Sequence, residues 1–179
     1  MRFARDRRRW RHWLFEASRR YDPCVLDYIV TSNHICLREL NKGRNEIPAT
    51  MQLIGGRTAQ EYDRRKSRRG AFWEDRLHAT AVQDDVHFAR CMTYIDLIMV
   101  RAGAVQHPEE WDISGDSVIQ MPWQRKGVIH LAGLCRPPGA STVQRRTVRL
   151  KRIAEDKIGS TRRESAWTEA VGLETNLVS

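Results

Sequence analysis

Long apolar runs are missing from this sequence. No stretch approaches the roughly 20 consecutive apolar residues that a helix needs to cross a bilayer, which excludes a helical membrane span. The N-terminus is a basic run with no apolar core behind it, so no secretory leader is expected and the expected location is the cytoplasm. Cysteine is sparse: Cys24, Cys36, Cys91 and Cys135 lie far apart and form no CxxC pair. That spacing excludes a zinc ribbon and a disulfide framework and reads as reduced thiols. Internal repeats and low-complexity tracts are absent. Acidic residues are outnumbered, with 22 Asp+Glu against 31 Lys+Arg and a formal charge of +9. A pI near 9.9 suits a polyanionic partner, nucleic acid ahead of an acidic membrane surface.

What is present fills one domain with a real core and a tail, since 179 residues are too few for two comfortable domains. The opening "RFARDRRRWRHWLFEASRRY" places Phe3, Trp10, Leu14, Ala17 and Tyr21 three or four apart or at multiples of that spacing. This makes one apolar stripe on an arginine-rich helix. Arg5, Arg8, Arg9 and Arg19 occupy its other face, which can lie along phosphates or simply be solvated. Val25 to Val30 and Ile35 to Leu40 flank a Thr31-Ser32-Asn33 turn signal and read as paired strands. A second helix is expected over "PATMQLIGGRTAQEYDRRK", with Pro48 in its first turn and Gly55-Gly56 weakening its middle. "LHATAV" reads as a short strand. Asp84-Asp85 then cap "VHFARCMTYIDLIMVRAG", a third helix stopping at Gly103. Beyond Pro108 the pattern turns loop-like, with a basic amphipathic helix expected from about Thr142 to Lys157 and a small helical appendage at the end.

The order helix, strand, strand, helix, strand, helix predicts an α/β fold, an α+β sandwich. Its expected form is a ferredoxin-like antiparallel sheet with helices on one face, lacking the opening strand of that topology. A domain over residues 1–115 and a loop-rich, basic helical extension over 116–179 are the expected division. Within the strand pair, His34 and Cys36 are two apart and therefore share a face. Two donors on one face can hold a metal ion, although a lone histidine or cysteine on a strand is more often a packed residue.

Four blocks, "VLDYIVTSNHI", "MQLIGGRTAQEY", "GAFWEDRLHATAV" and "YIDLIMVRAG", resemble in the same order the REP-associated tyrosine transposases, a branch of the single-tyrosine HUH transposases. The resemblance covers most of residues 1–115. It implies binding of hairpin-forming single-stranded DNA, and cutting and joining through a tyrosine nucleophile with magnesium or manganese as cofactor. Residue by residue it makes His34 the first ligand of a His-hydrophobic-His pair and Tyr94 the nucleophile. Cys36 stands where the family has its second histidine, and Ile98 stands where it has a polar ligand four places after the tyrosine.

Both departures fall on the metal. A phenol of ordinary pKa near 10 attacks a phosphodiester well only when a cation polarises the phosphate. Magnesium and manganese favour oxygen and imidazole over thiolate, and Ile98 offers no donor. Asp96 points away from the face that Tyr94 and Ile98 share. Transposase activity is therefore expected to be impaired. DNA binding needs less: Arg57, Arg64, Arg65, Lys66, Arg68 and Arg69 lead into a loop where Phe72 and Trp73 either stack on unpaired bases or plug the core. Arg145, Arg146, Arg149 and Arg152 add possible phosphate contacts. A noncatalytic DNA-binding protein and a decayed transposase remnant are the alternatives.

Overall fold

The computed structural model describes residues 3–73, 79–81, 85–120, 127–130 and 173–176. Helix α1 (Ala4–Tyr21) buries Trp10, Leu14 and Ala17, the middle of the expected apolar stripe. The ends of that stripe, Phe3 and Tyr21, stay exposed. Asp6 in the first turn and Arg19 and Arg20 in the last complement the helix dipole. Asp22 closes the helix in the left-handed region, its N–H donating to the Ser18 carbonyl.

Strands β1 (Cys24–Val30) and β2 (His34–Leu40) pair antiparallel around the expected turn, with Ile29 opposite Cys36 and Val30 opposite Ile35. Thr31 fastens the turn: its N–H and hydroxyl both donate to the His34 carbonyl, and its hydroxyl oxygen accepts from the His34 N–H. A bulge at Leu26 shifts the register between Val25 and Asp27.

Helix α2 (Glu46–Lys66) starts just before Pro48, which keeps that ring in the first turn where its missing N–H costs nothing. The Glu46 carboxylate accepts the Lys42 and Arg44 amides and fixes the entry loop. Gly55-Gly56 does not interrupt α2. The Trp73 indole packs against α2 there, its Nε1 donating to the Gly55 carbonyl at 3.1 Å.

Helix α3 (Asp85–Arg101) ends as expected at Gly103, which holds a φ of +68°. Ala104 N donates back to the Met99 carbonyl across that turn. Between α2 and α3, residues 79–81 form no strand and are exposed; the rest of the expected strand "LHATAV", His78 included, lies outside the described residues. A 3₁₀ turn (Pro108–Glu110) and a short helix α4 (Gly115–Gln120) follow.

The expected end of the chain differs. Leu173–Asn176 is a strand, β3, and not part of a helix; it pairs antiparallel with β2, giving the order β1-β2-β3. An open strand edge carries unmatched N–H and C=O groups, and an extended segment satisfies them where a helix cannot. The far edge of β1 is also bonded. Val30 N donates to the Ile113 carbonyl at 3.0 Å and His130 N to the Val25 carbonyl at 2.7 Å. These contacts occupy ladder groups that a sheet lacking a strand would leave open.

An antiparallel α+β arrangement is thus present. The helices, however, do not share one face. Trp10, Leu14 and Ile54 from α1 and α2 pack with Tyr28, Val30, Ile35 and Leu37. Ile95 from α3 packs with Ile29 and Cys36. The reason is period two: Ile29 and Cys36 are apolar on the face opposite Tyr28 and Leu37, so that face also needs a cover. The basic helix expected over residues 142–157, its arginines, and Cys135 lie outside the described residues.

Two tight points of the fold are testable. A Cβ on Gly115 would overlap Asp27 Oδ1 and stand 3.0 Å from the Tyr28 nitrogen, with Asp27 Oδ1 already accepting that N–H. Gly115→Ala is expected to lower unfolding free energy by about 1–3 kcal/mol, the usual cost of overpacking, read by urea denaturation. Glu39 is the second. Both its carboxyl oxygens are buried without a hydrogen-bond partner among the described residues. Burial first, and the charge of Glu46 second, push its pKa up to about 8. The folded state then holds a proton that the unfolded chain loses near 4.5, so Glu39's contribution is full below that pH and lost by about pH 8. Stability is expected to fall across that window, and Glu39→Gln to flatten the fall.

Candidate functional site

The turn at Thr31 and the pleat of β2 place His34 and Cys36 side by side on the α3 face. His34 Nε2 lies 3.0 Å from Cys36 Sγ. Cys36 is fully buried, and His34 is partly exposed at the strand's start. Tyr94 and Ile98, one turn apart on α3, both pack against the cluster of Ile29, Cys36 and Ile95. The Arg101 guanidinium sits 5.9 Å from the centroid of the Tyr94 ring. His34, Cys36, Tyr94 and Ile98 are therefore gathered on one side of the sheet.

This donor set does not fit magnesium or manganese. It offers one imidazole and one buried thiol, and Ile98 fills the expected third position with an apolar side chain packed into the cluster. Asp96 is buried on another face of the helix. Among the described residues no three His, Cys, Asp or Glu side chains converge as a metal site. A hard divalent ion prefers oxygen donors and near-octahedral geometry, neither of which a histidine–cysteine pair supplies. Arg38, one alternation beyond Cys36 on the same face, places a buried cation there instead. It is 5% exposed, lies 5.6 Å from the Phe88 ring, and its Nε and Nη2 have no partner among the described residues. Nothing in a strand pattern of charged and apolar residues distinguishes such a buried arginine from an exposed one.

The expected DNA-binding residues lie elsewhere. Arg57, Arg64, Arg65 and Lys66 are on α2, whose core-facing side packs on the opposite face of the sheet. Several are already engaged. Arg65 pairs with Asp6, Arg57 lies over Trp13, Lys66 over Phe3, and Arg68 donates to the Ala71 carbonyl. Arg64 and Arg69 are exposed.

Phe72 is not a stacking platform in this arrangement. It is 5% exposed, and its ring lies 4.8 Å from Tyr62 and 4.7 Å from Trp73 between centroids. Trp73 is half-buried and tethered by its indole N–H to α2. Burial of a benzyl ring outweighs exposure to solvent whenever the loop folds back on its own helix.

Arginines of α1 and α2 meet across a cleft of about 320 Å³ lined by Arg5, Arg9, Arg64 and Arg65. Arg9 grips Glu61 with two nitrogens, Nε at 2.7 Å, and this bond holds the Glu61 carboxyl below the usual carboxylate range. Arg7 and Arg11 turn the other way, onto the Trp111 ring and the Asp112 carbonyl.

No protein-family model matches this chain, no curated protein is significantly similar to it, and no solved structure matches it significantly. No helix of the described residues is long and apolar enough to cross a membrane.

The assignment of Phe72 to the core has a direct check. Phe72→Ala is expected to cost about 3–5 kcal/mol of stability, as for other buried aromatic truncations, measured by chemical denaturation. A loss below about 0.5 kcal/mol would return the ring to the surface.

Proposed function

We propose that this chain is a single-tyrosine transposase-type protein, on an antiparallel α+β scaffold, that binds hairpin-forming single-stranded DNA and has weakened cleavage and strand transfer. The supporting observation is the packing of α3, which lays Tyr94 against the strand face that carries His34 and Cys36. In the reaction the Tyr94 hydroxyl gives up its proton as its oxygen attacks phosphorus, a phosphotyrosine bond forms, the P–O bond to the departing strand breaks, and the departing oxygen takes up a proton. A phenol of ordinary pKa near 10 needs charge stabilisation at the phosphate for this step. When bound, a divalent cation would supply it. Cys36 and Ile98 argue for a site that holds such an ion poorly, so the chemistry is expected to be slow.

A noncatalytic DNA-binding protein is the second reading. It is favoured by the placement of the α2 cations on the sheet face away from Tyr94, which lets binding persist when cleavage fails.

The deciding experiment incubates purified protein with hairpin-bearing single-stranded DNA and magnesium or manganese. It scores a covalent protein–DNA adduct that vanishes in Tyr94→Phe. Little adduct is expected from the natural sequence, and recovery from Cys36→His combined with Ile98→Asn. Abundant adduct from the unaltered chain would refute the impairment. DNA binding without any adduct, even in the double variant, would favour the noncatalytic reading.

A further inference from the structure

We infer that the cleft between α1 and α2 is a binding site for the phosphate backbone of nucleic acid, on the side of the sheet away from Tyr94. This rests on the DNA-binding part of the reading above but not on its chemistry. Four guanidinium groups line the cleft against two carboxylates, Asp6 and Glu61. Two of the four are spent: Arg9 on Glu61 and Arg65 on Asp6. Arg5 and Arg64 have no carboxylate partner among the described residues, and both are exposed. They leave the cleft with an uncompensated double positive charge.

Thr58 supplies a second, independent feature. It lines the same cleft, is 4% exposed, and its hydroxyl has no hydrogen-bond partner among the described residues. A buried hydroxyl without a partner destabilises a fold, and rotation of the Thr58 side chain toward the cleft would let an anion held by the neighbouring arginines accept its hydrogen. The unpartnered Oδ2 of Asp6 opposes an anion, which places the ligand toward Arg5 and Arg64 and away from Asp6.

The surroundings favour a polymer over a small anion. Arg57, Lys66 and Arg69 are exposed and continue the positive surface along α2 and past its end, where a second and third phosphate would pass. Base readout is not favoured, because Phe72 is buried and Trp73 is tethered. Contacts of this type position a nucleic acid without selecting its sequence.

The test measures binding of a labelled hairpin-bearing oligonucleotide to the full chain by anisotropy, without divalent metal, across a salt series. Removing two phosphate contacts in Arg5→Ala with Arg64→Ala is expected to lower the slope of log affinity against log salt by about 2 and to weaken binding about tenfold or more. Arg19→Ala with Arg20→Ala, the same loss of charge at the other end of α1, is expected to change affinity less than about threefold. Thr58→Val is expected to weaken binding while its melting temperature holds or rises, which a purely structural threonine would not do. An unchanged slope in the cleft variant, or an equal change in the Arg19 and Arg20 variant, would overturn the assignment. So would inorganic phosphate competing as well as DNA at equal phosphate concentration, which would make the cleft a small-anion site. A Tyr94 adduct formed by a protein whose cleft variant binds normally removes only the cleft. A cleft-dependent salt slope with no adduct in any variant removes only the transposase chemistry.

Discussion

Alternation along β1 and β2 decides where everything else in this molecule can sit. Once Thr31 locks the turn, Ile29 faces Cys36 and Tyr28 faces Leu37, and the two faces of the sheet become separate apolar surfaces. Each must be covered. Helices α1 and α2 cover one with Trp10, Leu14 and Ile54, and α3 covers the other with Ile95, Tyr94 and Ile98. A slip of one residue would exchange the faces, sending His34 and Cys36 under the arginine-rich layer and Leu37 under α3.

That partition separates two kinds of chemistry. The face under α3 gathers a phenol, an imidazole, a thiol and a buried guanidinium at Arg38 in apolar surroundings. The layer of α1 and α2 gathers exposed arginines over a core that its own apolar stripes seal. Cleavage and backbone binding make different demands on a protein. A phosphoryl transfer needs charge held rigidly beside the reacting oxygen, whereas binding a polyanion needs only positive potential and released counterions. Cys36 and Ile98 offer little toward the first demand, whereas the exposed arginines of α1 and α2 suit the second.

The arginines of α1 show how one compositional signal divides in three dimensions. Arg7 and Arg11 turn inward to fix residues 111 and 112, Arg9 crosses to Glu61, and Arg5 stays exposed at the cleft. In a linear view they are one solvated run. Their roles differ because a helix turns 100° per residue and each neighbour meets a different element. Phe72 is a parallel case: in a loop of basic residues it looks like a stacking ring, and it is core because the loop folds back onto Tyr62.

Local pattern was enough for α1, the strand pair and its turn, the shared face of His34 and Cys36, the end of α3 at Gly103, and the pairing of Tyr94 with Ile98 on one face. All of these depend on periodicity or on a backbone preference encoded within a few residues. Periodicity carries no information about which surface a helix will meet. The placement of α3 across the sheet from α1 and α2, the strand at Leu173–Asn176 where a helix was expected, the burial of Phe72 and Arg38, and the cleft between α1 and α2 all arise from contacts between residues distant in the chain. Such contacts are selected by the joint fit of apolar areas and the matching of open strand edges, quantities that exist only once the elements are packed together.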